Sequence, residues 1–151
     1  MTNDDEKPLR LAVAAVIRKW GGGDFLAVRR PLDDDRLPGI WGLPAVTLQE
    51  GELPESAVRR IGTEKLGVQL KPVRTIGVGS ADRGDHQLVL MDIEALIESG
   101  EPRVEAATTS RTRYIDQRWT SDPELLREGA SRGSVCCRIF LNADLDGQSP
   151  R

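Results

Sequence analysis

A single mixed α/β domain is the fold class this sequence predicts. Three observations predict it. Short apolar runs of strand length recur along the chain, one segment places its apolar residues at helical spacing, and no repeat or linker divides the 151 residues. That length suits one domain with a real core. Charges of both signs are interspersed, and an apolar share of 38% is globular rather than disordered.

Residues 1–8 are acidic and polar and predict a disordered tail, not a secretory signal. The domain proper is expected over 9–143, with a flexible tail over 144–151. Leu11 to Arg18 is apolar and partly β-branched, which suits a buried strand; Phe25 to Arg29 suits a second. The glycines between them suit a hairpin turn. Arg30 to Pro38 is a polar, Asp-rich loop, and Gly39 to Pro44 fits a strand entering a bend.

From Leu53 the period changes. Pro54 suits a first helical turn, Glu52 and Glu55 favour its N-terminal end, and Gly67 stops it. Ala57, Val58, Ile61 and Lys65 share one face. Gly62 within this helix should cost about 1 kcal/mol relative to Ala. Val68 to Gly79 and Gln87 to Leu96 predict two more strands around the turn Ser80 to Asp85. A strand over Arg113 to Trp119, a short helix over Asp122 to Glu128 capped by Asp122 or Ser121, and a last helix over Ser134 to Leu141 complete the chain.

The net charge of −3 argues against a protein built to grip duplex nucleic acid. A few local arginines can still serve a small phosphorylated ligand. The two cysteines, Cys136 and Cys137, are adjacent, lack zinc-site spacing and suit small hydrophobes on a late helix. No apolar run approaches membrane-spanning length. A cytoplasmic protein without membrane association is expected.

The stretch Leu37 to Val68 reads LPGIWGLPAVTLQEGELPESAVRRIGTEKLGV. It resembles the signature of the Nudix hydrolases, the MutT-like family: G-x5-E-x7-R-E-U-x-E-E-x-G-U, with U a bulky aliphatic residue. The segment Pro38-Gly39-Ile40-Trp41-Gly42-Leu43-Pro44 is similar to the P-G-x-W-x-x-P that precedes it in the family. Laid on without gaps, the pattern matches Glu52, Arg60, Glu64, Gly67 and Val68. It departs at Val46, Ile61, Gly62 and Lys65, so the box is degenerate. Val28-Arg29-Arg30-Pro31 and the run Arg118 to Leu125 are also like the family's flanks, so the resemblance covers roughly Leu11 to Leu126.

This resemblance implies an α/β/α sandwich around a mixed central sheet. It also implies metal-dependent hydrolysis of a pyrophosphate bond in a nucleoside diphosphate linked to another group, with Mg²⁺ or Mn²⁺ as cofactor. Hard cations need oxygen ligands, and residues three and four apart on a helix converge on one face. The three places that would converge hold Ile61, Glu64 and Lys65. Glu64 is therefore the candidate catalytic residue and metal ligand, with Glu52 a second metal candidate. Arg60 and Gly67 are structural members of the box.

Ile61 offers no ligand atom. Lys65 brings a cation to a metal position: two like charges about 4 Å apart repel by roughly 4 kcal/mol at an effective dielectric near 20. A lysine that swings to solvent would relieve this. The acids Glu50, Glu55, Asp82, Asp85, Glu101, Glu105 and Asp116 are the reserve from which missing ligands would come. Arg29, Arg30 and Arg36 are candidates for phosphate, which Arg holds with paired hydrogen bonds. Trp41 suits core better than base stacking, and His86 suits an ordinary strand residue better than a general base.

The alternative to an enzyme is a catalytically inactive module that binds a nucleotide or a protein in the same cleft. Among related proteins dimers are common, which brings a homodimer into consideration; the sequence itself carries no signal for it.

Overall fold

The structure is a computed structural model, and it describes residues 7–19, 23–109 and 111–147. Ala12 to Ile17 carries no polar side chain, a pattern that suits a strand covered on both faces. β1 (Leu9–Arg18) is that strand. It runs antiparallel to β2 (Phe25–Arg29) and parallel to β6 (Gln87–Ser99). β3 (Trp41–Gly42) lies beyond β2, and β5 (Gln69–Asp82) lies beyond β6 at the other edge. β4 (Ala45–Thr47) pairs with β1, and β7 (Asp116–Thr120) pairs with β2, completing seven strands among the described residues.

Alternation along β1 divides the core. Val13, Ala15 and Ile17 join Leu26 and Val28 beneath Ala57, Val58 and Ile61 of α1 (Pro54–Ile61). Ala12, Ala14 and Val16 face the other way. They meet Phe25, Ala27 and the inner side of α3 (Val135–Gly147), where the rings of Phe25 and Phe140 lie 4.6 Å apart. One sheet is thus covered by helices on both sides, the α/β/α sandwich that the resemblance implies.

Pro54 opens α1 at its first turn, after an extended Leu53. The helix then widens into a π-helical turn over Gly62–Leu66, closed by Gly67 in the left-handed conformation at φ 71°. Gly62 is not a defect. A Cβ there would sit 2.6 Å from the Val68 carbonyl oxygen and 2.8 Å from Leu70 Cγ, so close packing of this turn onto β5 requires its absence.

Several elements differ from expectation. The segment Gly39 to Pro44 forms only the two-residue β3; Pro44 has no N–H to donate, and its carbonyl accepts from Ala15 N. The next three residues form β4, which local pattern did not mark. The strand expected from Arg113 begins at Asp116, because Tyr114 turns inward and its hydroxyl accepts the Ala45 N–H at 3.0 Å. The short helix after Asp122 is a 3₁₀ turn over Pro123–Leu126, capped by the Asp122 carboxylate, leading into α2 (Arg127–Ser131).

The last helix does not end at Leu141. It continues to Gly147, with no proline to stop it. Of the expected 144–151 tail, 148–151 lie outside the described residues. So do 1–6 of the expected N-terminal tail and 20–22 of the hairpin turn. Lys7 is held, its Nζ lying 2.7 Å from Asp82 Oδ1, and the Pro8 carbonyl accepts from Gln87 N. Among the described residues no helix is long and apolar enough to cross a membrane.

Candidate functional site

Arg60, in the last turn of α1, ties the box together. Its Nε and Nη2 donate to the two Glu52 carboxylate oxygens at 2.9 and 3.0 Å, and Nη2 also reaches the Thr47 carbonyl at 2.8 Å. Nη1 donates to Glu64 Oε1 at 3.1 Å. Hydrogen bonding from Arg60 holds the Glu52 carboxyl below its ordinary range. Glu52, named above as a metal candidate, is therefore spent on joining the loop to the helix and does not line the cleft. Gly67 acts through its backbone at the end of the π turn.

Ile61 and Lys65 have separate fates. The Ile61 side chain is wholly inside the core against β1 and β5 and does not line the cleft. A glutamate at 61 would enter that apolar layer. Lys65 does not swing to solvent: the residue is 4% exposed. Its ammonium donates to the carbonyls of Arg111 at 2.6 Å and Thr112 at 3.0 Å, and lies 5.3 Å from the centre of the Tyr114 ring. Burial lowers its pKa to about 8, with Glu64 opposing the shift. Burial also pushes the Tyr114 phenol up to about 12, which keeps it neutral.

Arg60, Glu64, Lys65 and Tyr114 line a cleft of about 350 Å³. Glu64 is its only carboxylate among the described residues, against six arginines and Lys65. Arg10 comes from β1, Arg30 follows β2, and Arg83 stands in the turn between β5 and β6. Arg36 and Arg111 enter from loops, and Arg60 from α1. Arg30 is paired with Asp34 at 3.1 Å. Burial, then the neighbouring Arg36, Arg138 and Arg30, lowers the pKa of Arg83, so like charges are crowded here.

Of the phosphate candidates, Arg30 and Arg36 line the cleft and Arg29 does not. The Arg29 Nε instead donates to the Gly39 carbonyl at 2.9 Å, bracing the loop before β3. Trp41 is half-buried outside the cleft, its ring facing Arg118 at 4.9 Å. His86 lines the cleft and is bonded through Nδ1 to Asp85 at 2.7 Å. Cys136 lines it from the start of α3, and both cysteines are buried and free.

Sequence reading missed Arg10, Arg83 and Arg111, which the parallel β1–β6 pairing, the β5–β6 turn and the loop before β7 bring to one place. Arg10 adjoins the apolar run of β1, whereas Arg83 and Arg111 stand among polar residues and carry no local signal.

A family model described as the NUDIX domain matches residues 8–128. The chain belongs to the Nudix family. Solved structures agree in fold. The Nudix chain is similar to a MutT protein from Methanosarcina mazei at 20% identity and a TM-score of 0.73, over 95% of this chain and 99% of that one. It is similar to a MutT Nudix hydrolase from Burkholderia pseudomallei at 26% identity and a TM-score of 0.62, over 76% and 84%. An ADP-ribose pyrophosphatase from Streptococcus suis matches at 13% identity and a TM-score of 0.61, over 94% of both chains.

Nudix hydrolases generally use divalent metals. The residues of this Nudix cleft do not fit that ion. Such a cation needs several oxygen ligands, whereas the box supplies only Glu64, already engaged by Arg60, beside a buried ammonium. The reserve acids do not line the cleft, and no cluster of three metal-binding side chains exists among the described residues.

Proposed function

We propose that this cleft binds a nucleoside diphosphate derivative and does not turn it over by the family's metal-dependent route. The observation that carries this reading is the charge of the lining, six arginines and a lysine around a single carboxylate. Guanidinium groups match phosphate oxygens in pairs and hold them without a metal. The cleft volume, about 350 Å³, suits a small molecule. Similarity to an ADP-ribose pyrophosphatase makes ADP-ribose a first compound to test.

A second reading, hydrolysis of the phosphoanhydride bond, is favoured by the intact Glu52–Arg60–Glu64 chain, which keeps a carboxylate at the cleft. A panel of nucleoside diphosphate derivatives separates the two, followed for nucleotide release with Mg²⁺, with Mn²⁺ and with EDTA, beside ligand-induced thermal shifts. Stabilisation by members of the panel without nucleoside monophosphate release is the expected result. Metal-dependent release that disappears in Glu64→Gln would replace binding with hydrolysis.

A further inference from the structure

We infer that Lys65 is a built-in cation that receives the ligand's diphosphate directly, so that this Nudix cleft binds diphosphates without a divalent metal. The inference rests on the reading that the cleft takes a diphosphate compound. Its physical basis is a buried charge that makes no ion pair among the described residues. The Lys65 residue is 4% exposed, and its two hydrogen-bond partners among the described residues are neutral backbone carbonyls. The neighbouring carboxylate, Glu64, is bonded to Arg60 and makes no ion pair with Lys65 among the described residues. An ammonium has three donors, and among the described residues two are used, which leaves one N–H toward the cleft that Lys65 lines.

Burying a charge without a partner is costly, and an anion that enters the cleft removes that cost. The position matters as much as the charge. Where the family pattern places a carboxylate to attract a metal ion, this chain places the positive charge itself. The sign is reversed, so a divalent cation is repelled and a phosphate attracted. Arg30, Arg36 and Arg111 stand around the same space and offer forked donors to the remaining phosphate oxygens.

A purely structural role would have Lys65 do no more than strap the loop at Thr112, a β-branched residue held at φ 38°. The strap and the anion site differ in what they do to a bound ligand. Calorimetric titration of the full chain with inorganic pyrophosphate and with ADP-ribose, in EDTA and again with Mg²⁺, tests the proposal. Both should bind in EDTA, with no gain from Mg²⁺. Lys65→Met, checked for folding by circular dichroism, should weaken both by roughly 10- to 100-fold, the usual effect of losing a charge-assisted hydrogen bond.

Because the variant also removes the two contacts to the loop, the ¹⁵N signal of Lys65 Nζ is followed in the unaltered protein and should shift on saturation with pyrophosphate in EDTA. Binding that requires Mg²⁺, a folded Lys65→Met that binds as well as the parent, or an unmoved Nζ signal would each overturn the inference and leave the cleft reading intact. Failure of both compounds to bind under either condition would overturn both.

Discussion

Asp92 lies wholly inside the protein on β6, and neither carboxylate oxygen has a hydrogen-bonding partner among the described residues. Burial, with Cys136 nearby, pushes its pKa up to about 10 from an ordinary 3.8. The folded protein therefore holds a proton that the unfolded chain releases above about pH 4. Stability from this group is present below the unfolded value and falls as pH rises toward the folded one. Between pH 5.5 and 7.5 the parent should lose up to about 1.4 kcal/mol per pH unit relative to Asp92→Asn. Urea unfolding at several pH values measures this; parallel stability profiles for the two proteins would show that the carboxyl does not titrate as burial requires.

At the scale of elements, α1 and its π turn do two jobs with adjacent residues. Ile61 closes the core, and Lys65 supplies charge to the cleft. The turn must also lie against β5, and Gly62 is what allows it. Helix propensity alone expects Gly62→Ala to stabilise by about 1 kcal/mol. The contacts at 2.6 and 2.8 Å expect the opposite, because the carbonyl of Val68 cannot yield as a flexible side-chain tip would. A loss of about 1–3 kcal/mol, typical of overpacking, should appear in thermal or denaturant unfolding. A more stable variant would mean that the turn relaxes away from β5 at little cost.

At the scale of the whole molecule, charge is segregated. The net charge is −3, yet the cleft gathers six arginines and a lysine around one carboxylate. A positive cleft in an acidic protein attracts small anions. Pyrophosphate binding in EDTA should therefore weaken steadily as sodium chloride is raised over a tenfold range, since partly open sites are screened. Titration calorimetry at several salt concentrations reads the slope; a flat response would place the affinity in contacts other than these charges.

Much of this was legible in the chain itself. The apolar run of β1, Pro54 and Gly67 around α1, and the spacing of Glu52, Arg60 and Glu64 are local signals, and each specifies backbone or pattern without help from distant residues. They sufficed for the α/β class and, with the box, for the family. The losses at 61 and 65 were equally plain. What tertiary packing decided was where those side chains went. Only the sheet beneath α1 takes Ile61 into the core, and only the carbonyls of Arg111 and Thr112, 46 and 47 positions away, hold Lys65 inside instead of in water. Arg10, Arg83 and Arg111 reach one cleft because strand pairing and turns bring them there, whereas Arg29, beside Arg30 in sequence, points elsewhere by the alternation of a strand. A sequence fixes which charges a chain owns; their convergence depends on contacts between residues far apart along it.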